Sequence, residues 1–250
     1  MKRGGLILDK KGSHVGMILS FAIFITFIIF LYSILNPAVK TGEDKTATLD
    51  YIQYQIMQNV SSNFTSASIG WDSTINPTGN CVQFDNLLGF LEIPPPYKII
   101  IKNENNIIQS EPYLVADNYP DVEIIRGSAD DKFFRIYNSP EFEIPEASIV
   151  EPCTKISDYE IGSVTSGGYV FEKNMYKLTD YYNNNYEWLR TEFKITPGSE
   201  FGFIFVQSNG TMINVGNPPA SANVHVSEIP IQYIDDYANI LSGFINVKVW

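Results

Sequence analysis

The chain lacks the residues and spacings on which most catalysis depends. It has two histidines in 250 residues. No Gly-x-Ser-x-Gly turn, phosphate-binding loop, His-Glu-x-x-His pair or dinucleotide-binding glycine fingerprint occurs. His14 abuts a long apolar run, and His225 falls on the polar face of an expected strand, a place for a surface residue rather than a base. The acidic runs SADDK (Ser128 to Lys132) and IDDY (Ile234 to Tyr237) lack the ligand spacing of a calcium loop and read as solvated turns. A carboxylate pair for glycoside hydrolysis has 28 acidic residues to hide among, and no spacing singles one out. Neither enzymatic activity nor a cofactor is expected.

Cysteine is equally scarce. Cys81 and Cys153 are the two in the chain, and neither has a second Cys or His at ligand spacing, which argues against a zinc site. Outside the cytoplasm an even count permits one disulfide, and two residues allow one pairing. Closing a loop of about 70 residues would contribute roughly 4 kcal/mol in the chain-entropy account. Two unrelated buried thiols are the alternative.

Positive charge is in short supply: 17 Lys and Arg against 28 Asp and Glu, a net charge of −11. Nucleic-acid phosphates and anionic lipid surfaces both demand clustered cations, so neither is expected as a partner.

Charge of either sign vanishes between Gly12 and Val39. Val15 to Leu35 is a 21-residue apolar run, and as a helix it spans about 30 Å, the thickness of a bilayer core. A cleavable secretory signal has an apolar region of about 7–15 residues followed by a small-x-small site. This run is longer, and YSILNPAVK after it offers no such site. A spanning helix is therefore expected. Lys2, Arg3, Lys10 and Lys11 against Asp9 give residues 1–12 a charge of +3, leaving −14 for the remainder. Basic flanks stay on the cytoplasmic side, so the amino terminus is expected inside and the acidic bulk of the chain outside.

Beyond the membrane segment, Pro37 and Gly42 interrupt the pattern. TATLDYIQYQIMQNV then sets Leu49, Ile52, Ile56 and Val60 at steps of three and four, an amphipathic helical stripe. A kinked helical extension over 37–65 is expected, followed by a β-rich domain over 66–250. There YKIIIKN, VEIIRG, KFFRIYN, YEIGSV and GYVFEK are short β-branched or aromatic runs between turn residues. EFGFIFVQSNGTMINVG reads as a hairpin turning at Ser208-Asn209-Gly210. In NVHVSEIPIQYI the apolar parity slips at Ser227-Glu228, suggesting a bulge, and Pro230 suggests an edge or irregular strand. Tyr182, Tyr186, Leu189 and Phe193 predict a short helix weakened by three asparagines, and GFINVKVW a strand reaching the final residues. The expected fold class is α+β: a transmembrane helix continuing into an amphipathic helix, then a mainly antiparallel sheet domain.

Three Asn-x-Ser/Thr sequons occur, at Asn59, Asn63 and Asn209. With 21 asparagines and 33 serines and threonines, chance alone supplies about three, so they are glycosylation candidates and little more.

DKKGSHVGMILSFAIFITFIIFLYSIL, Asp9 to Leu35, resembles the amino terminus of a type IV prepilin, in particular the archaeal pilin-like kind. The likeness lies in a short basic leader, Gly12 after Lys10-Lys11, a few small or polar residues and a long apolar helix. It implies that a membrane prepilin peptidase cuts between Gly12 and Ser13, leaving Ser13 first. It implies too that the helix serves as anchor before assembly and as filament core, against other subunits, afterwards. Many members carry glutamate at the fifth mature position; here that residue is Met17, which points to a minor pilin or pseudopilin. Small residues on the helix, Gly16 and Ser20 foremost, are candidates for close helix packing. The rival expectation is a plain single-pass anchor carrying an external binding or adhesion domain with no filament role.

Overall fold

A computed structural model describes residues 13–72, 75–108, 113–114, 121–128, 130–143 and 153–250. One long helix, α1 (Ser13–Val60), leads directly into strand β1 (Ser61–Gly70). Then come β2 (Cys81–Phe84), the single turn α2 (Leu87–Phe90), β3 (Ile99–Asn103), β4 (Tyr113–Leu114), β5 (Val122–Ile125), β6 (Phe133–Asn138) and β7 (Thr154–Ile156). The second half holds β8 (Glu160–Phe171), α3 (Glu172–Asn184), α4 (Tyr186–Glu192) and two hairpins, β9 (Phe201–Val206) with β10 (Met212–Val215) and β11 (His225–Ile234) with β12 (Ile240–Val249). An eight-stranded sheet runs β10-β9-β12-β11-β8-β1-β6-β3, and a four-stranded sheet runs β4-β5-β2-β7. The class is α+β, with an N-terminal apolar helix and a large antiparallel-rich sheet.

Pro37 and Gly42 do not end the first helix, which runs unbroken through both. A proline inside a helix costs about 3 kcal/mol through one lost hydrogen bond and a ring clash, a cost that the long helical segments on either side can outweigh. The extension ends earlier than its sequence suggests. Residues 61–65 are already strand, because the stripe of Leu49, Ile52, Ile56 and Val60 gives way to alternate burial at Phe64 and, further on, Ala67 and Ile69.

The stripe is what seats the helix. Ile52, Ile56 and Val60 are fully buried and Leu49 nearly so. They lie in a core with Met175 and Leu178 of α3, Leu189 of α4, and Phe201, Phe203, Phe205, Tyr233, Ile245, Val247 and Val249 of the sheet. Gln53 Nε2 donates to Ser227 Oγ at 2.6 Å, tying the helix to β11 beside this core. Burying an aliphatic side chain contributes about 1.5–3 kcal/mol, so the four positions together hold the helix firmly to the domain.

A second core fills the space between β1, β3 and β6 of the large sheet and the small sheet. It is built from Ile69, Trp71, Val82, Phe84, Leu87, Ile101, Val122, Phe134 and their neighbours. Cys81 and Cys153 form a disulfide at its margin, with Cα atoms 4.6 Å apart, where β2 runs parallel to β7. A smaller cluster of Phe64, Tyr137, Phe142, Phe171, Ile234 and Ala238 joins the two cores. The entry and exit strands of the sandwich are paired, Ser61 opposite Val170.

Two strand expectations are corrected. YEIGSV and GYVFEK belong to one twelve-residue strand, β8, and GYVFEK crosses into α3 at Glu172. The bulge lies there rather than at Ser227-Glu228: β8 slips against β1 between Ala67 and Ile69. Gly162 lies at that slip, close against Ser68 Oγ. The β11–β12 ladder is continuous from His225↔Val249 to Ile234↔Ile240. The apparent slip arises because Val226 is an apolar residue on the exposed face. The β9–β10 hairpin turns as expected, with Gly210 at φ +84° and Asn209 Oδ1 accepting the Thr211 N–H at 2.8 Å. The asparagine-weakened helix is split: α3 and α4 meet at Asn185, whose φ of −140° breaks the helical path.

Two tyrosines lock α3 and α4 to β9. Tyr182 donates to the Phe201 carbonyl and Tyr186 to the Glu200 carboxylate, while Arg190 lies 3.3 Å from the same carboxylate. Burial, with the Glu200 charge adding to it, pushes the Tyr182 phenol up to about 12 against the opposing hydrogen bond from Tyr186. Burial and the Glu200 hydrogen bond push Tyr186 up as well. A phenol whose pKa is raised on folding contributes stability in full below the unfolded value near 10, and that contribution disappears as pH climbs through the folded value. Denaturant midpoints are therefore expected to fall between pH 10 and about 12, and to fall less in the Tyr182→Phe variant. In the seat itself, Ile56→Ala is expected to cost about 2–5 kcal/mol through lost contacts and a cavity, measured by urea unfolding at neutral pH.

Candidate functional site

The feature that stands apart chemically is the first half of α1. From His14 to Ile34, 21 residues with a mean hydropathy of 2.6, none of the helix is buried. Val15, Met17 and Tyr32 each expose about two-thirds or more of their surface, and Phe21, Phe24, Phe27 and Phe30 more than half. The helix is long and apolar enough to cross a membrane. Along it Thr26 Oγ1 makes a local hydrogen bond, donating to the Ile23 carbonyl at 2.9 Å. A contiguous apolar surface of this size is unstable in water and requires hydrocarbon or other apolar helices around it.

The residues singled out in the sequence are distributed as follows. Ser13 opens α1, and Gly12, with the basic leader, lies outside the described residues. Gly16 and Ser20 are exposed on the bare half, and a Cβ on Gly16 would meet nothing within 4 Å. Asn59, on the last turn of α1, Asn63, on β1, and Asn209, in the β9–β10 turn, are all exposed. Cys81 and Cys153 are joined. Among the described candidates the structure joins the two cysteines, while Gly16 and Ser20 lie on the bare helix and the three asparagines elsewhere on the surface.

His225 is not on the polar face. It shares the inward parity of Ser227, Ile229 and Tyr233 and is half-buried at the outer end of β11. Each acidic run is solvated only in part: Asp130 and Asp236 are exposed, while Asp131 and Asp235 anchor loops. Asp131 is buried and accepts from Ser128 N–H at 3.0 Å and Asn103 Nδ2 at 3.4 Å. Asp235 accepts the N–H groups of Tyr237 and Asn239 and the Asn239 side-chain amide, closing the β11–β12 turn. These carboxylates are consumed in fixing loops. Among the described residues no group of three or more His, Cys, Asp or Glu is placed to hold a metal ion.

An open cleft of about 410 Å³ lies beside β3 and β5, lined by Asn103, Asn105, Ile107, Ile125, Arg126 and Asp131 among others. Asn103 Oδ1 already accepts from Asn105 and Ile107 N–H, and the Arg126 guanidinium donates to the Pro77 and Gly79 carbonyls. These polar groups are directed into the fold and offer no converging acid, base or nucleophile.

Sequence reasoning missed two buried cations, Arg126 and Lys102. Lys102 is almost fully buried at the margin of the second core, donating to the Ala238 carbonyl at 3.1 Å and Asn239 Oδ1 at 2.8 Å. Its ammonium lies 5.4 Å from the centre of the Tyr137 ring. Burial, assisted by Arg135 and opposed by Asp235, holds its pKa below the usual lysine value. The residue bridges β3 to the β11–β12 turn, and nothing in KIIIKN distinguishes it from a surface lysine.

No family model, no curated protein and no solved structure matches this chain. The physical character of the bare helix is therefore the strongest functional indicator. Replacing Gly16 and Ser20 together with leucine adds side chains where the chain itself offers no obstruction. Folding and membrane partitioning are expected to be unchanged, while helix–helix association in lipid, read by cross-linking, is expected to fall because the backbones are held apart.

Proposed function

We infer that the chain is a pilin-like subunit, of the minor-pilin or pseudopilin kind, in a surface filament or secretion apparatus. The observation that carries this reading is the division of α1. One half is sunk in the folded domain through Leu49, Ile52, Ile56 and Val60, and the other half is a bare 21-residue apolar rod. A rod rigidly continuous with its domain suits two environments in turn, a bilayer and then a bundle of identical helices, with no refolding between them. The peptidase site at Gly12 and Ser13, the single-pass topology with the leader in the cytoplasm, and the placement of the β-rich domain outside the cell all belong to this proposal. The disulfide agrees with an exported domain.

A second reading keeps the membrane anchor and drops the filament: an external binding or adhesion domain on a fixed stalk. Met17 at the position where many pilins place glutamate favours it, since an apolar residue there supplies no charge for a neighbouring amino terminus.

The mature amino terminus separates the two. Intact-mass and N-terminal analysis of the protein from its native membrane should give Ser13 as the first residue. Retention of Met1 or Lys2 would remove the pilin reading and leave the fixed anchor.

A further inference from the structure

We propose that the outer edge of β8 is a docking strand, and that its occupant is β8 of a second copy of this chain, added antiparallel about Ser166.

β8 is a poorly covered strand inside a large sheet. It pairs with β1 along its length, but on its other side it meets β11 only at Tyr233↔Val170 and Ile234↔Phe171. From Gly162 to Gly168 every residue is exposed, and Val164 is 49% exposed. Thr65 and Ser166 hydroxyls, and those of Ser66 and Thr165, lie 2.8 Å apart on the β1 side, so this flank is already paired.

The parity of the ladders identifies which backbone groups remain. Asp235 N–H donates to the Asn239 carbonyl, so odd residues of β11 exchange bonds with β12 and even ones turn toward β8. Ile234 is then the β11 residue engaging β8, which makes Val170 its partner and assigns the even residues of β8 to the outer edge. Val164, Ser166 and Gly168 therefore direct N–H and C=O groups away from β1, and no described residue is recorded as satisfying them.

The two facing edges are treated differently. β11 carries Glu228 and Pro230 on the same parity, and proline with its missing donor outward is an established way of closing an edge. Between Ile161 and Phe171 β8 has no charge and no proline. An unguarded row of alternating donors and acceptors at strand spacing is complemented by another extended backbone.

Self-complementarity favours a second copy as the source. The net charge of −11 opposes contact between copies, but this stretch contributes none of it. Laid antiparallel on itself about Ser166, the segment sets Val164 opposite Gly168 and Thr165 opposite Gly167, each larger residue against a glycine. The strand has little apolar surface to bury, so pairing is weak in dilute solution and gains from confinement of copies in one membrane. That last point rests on the anchored reading of α1; the strand geometry does not.

The test is amide hydrogen exchange on the full chain in lipid nanodiscs or micelles, at increasing protein density, in the Gly16→Leu/Ser20→Leu background so that association through the helix is weakened. Val164, Ser166 and Gly168 amides should gain protection as density rises, while Thr165 and Gly167, bonded to β1, are protected throughout. Ser166→Pro removes one outward donor from each copy and should weaken association about tenfold or more. Ser166→Ala loses the same hydroxyl contact with Thr65 yet keeps the N–H, and should associate like the parent. Unprotected exchange at all three outer amides at every density overturns the proposal, as does equal association of the two Ser166 variants. Retention of Met1 in the mature protein would sink the pilin reading and leave this result unaffected.

Discussion

The structure depends on the burial of one helical stripe. Leu49, Ile52, Ile56 and Val60 give α1 its attachment to the sheet, and they do so from the same helix whose first half has no partner. Because the helix is continuous, the orientation of the bare rod relative to the domain is set by side chains deep in the first core. The stripe lies chiefly against β12, β11 and α3, and Phe201, Phe203 and Phe205, all fully buried on β9, complete the same core. Each additional apolar contact there does two jobs, stabilising the domain and fixing the direction in which the rod leaves it.

The second core is organised differently. It closes a sandwich between two sheets, with a disulfide at one margin and a buried lysine at another. Lys102 is costly to bury as an ammonium, and the cost is offset by the Ala238 carbonyl, the Asn239 side chain and the face of Tyr137. Those partners belong to the β11–β12 turn and to β6, so the lysine ties the sandwich to the distal hairpin. Together with the aromatic cluster around Phe64 and Phe171 it links the two halves of the large sheet.

Legibility in the sequence followed the length scale of the signal. The apolar run and the i, i+3, i+4, i+7 stripe are periodic over many residues, and both were readable along with the β9–β10 hairpin, whose Asn-Gly imposes its own turn. The Ser227-Glu228 bulge misled because apolar alternation was taken as burial, whereas Val226 is 57% exposed. The bulge in β8 was invisible, since it is a slip of register against β1, a strand some ninety residues earlier. Asp131, Asp235 and Lys102 were misjudged or missed for a related reason. Whether a charged side chain is solvated or anchors a loop depends on partners that no local spacing encodes.

The pairing of Ser61 with Val170 decides how the middle of the chain is held. Everything between β1 and β8 departs from and returns to neighbouring positions, so its two ends are clasped by a backbone ladder as a loop's are by its stem. Phe64, Phe171 and Ile234 pack across that stem, and Lys102 reaches from β3 to the β11–β12 turn. The sandwich is thereby fastened to the helix–sheet unit by side chains as well as by its two strand ends.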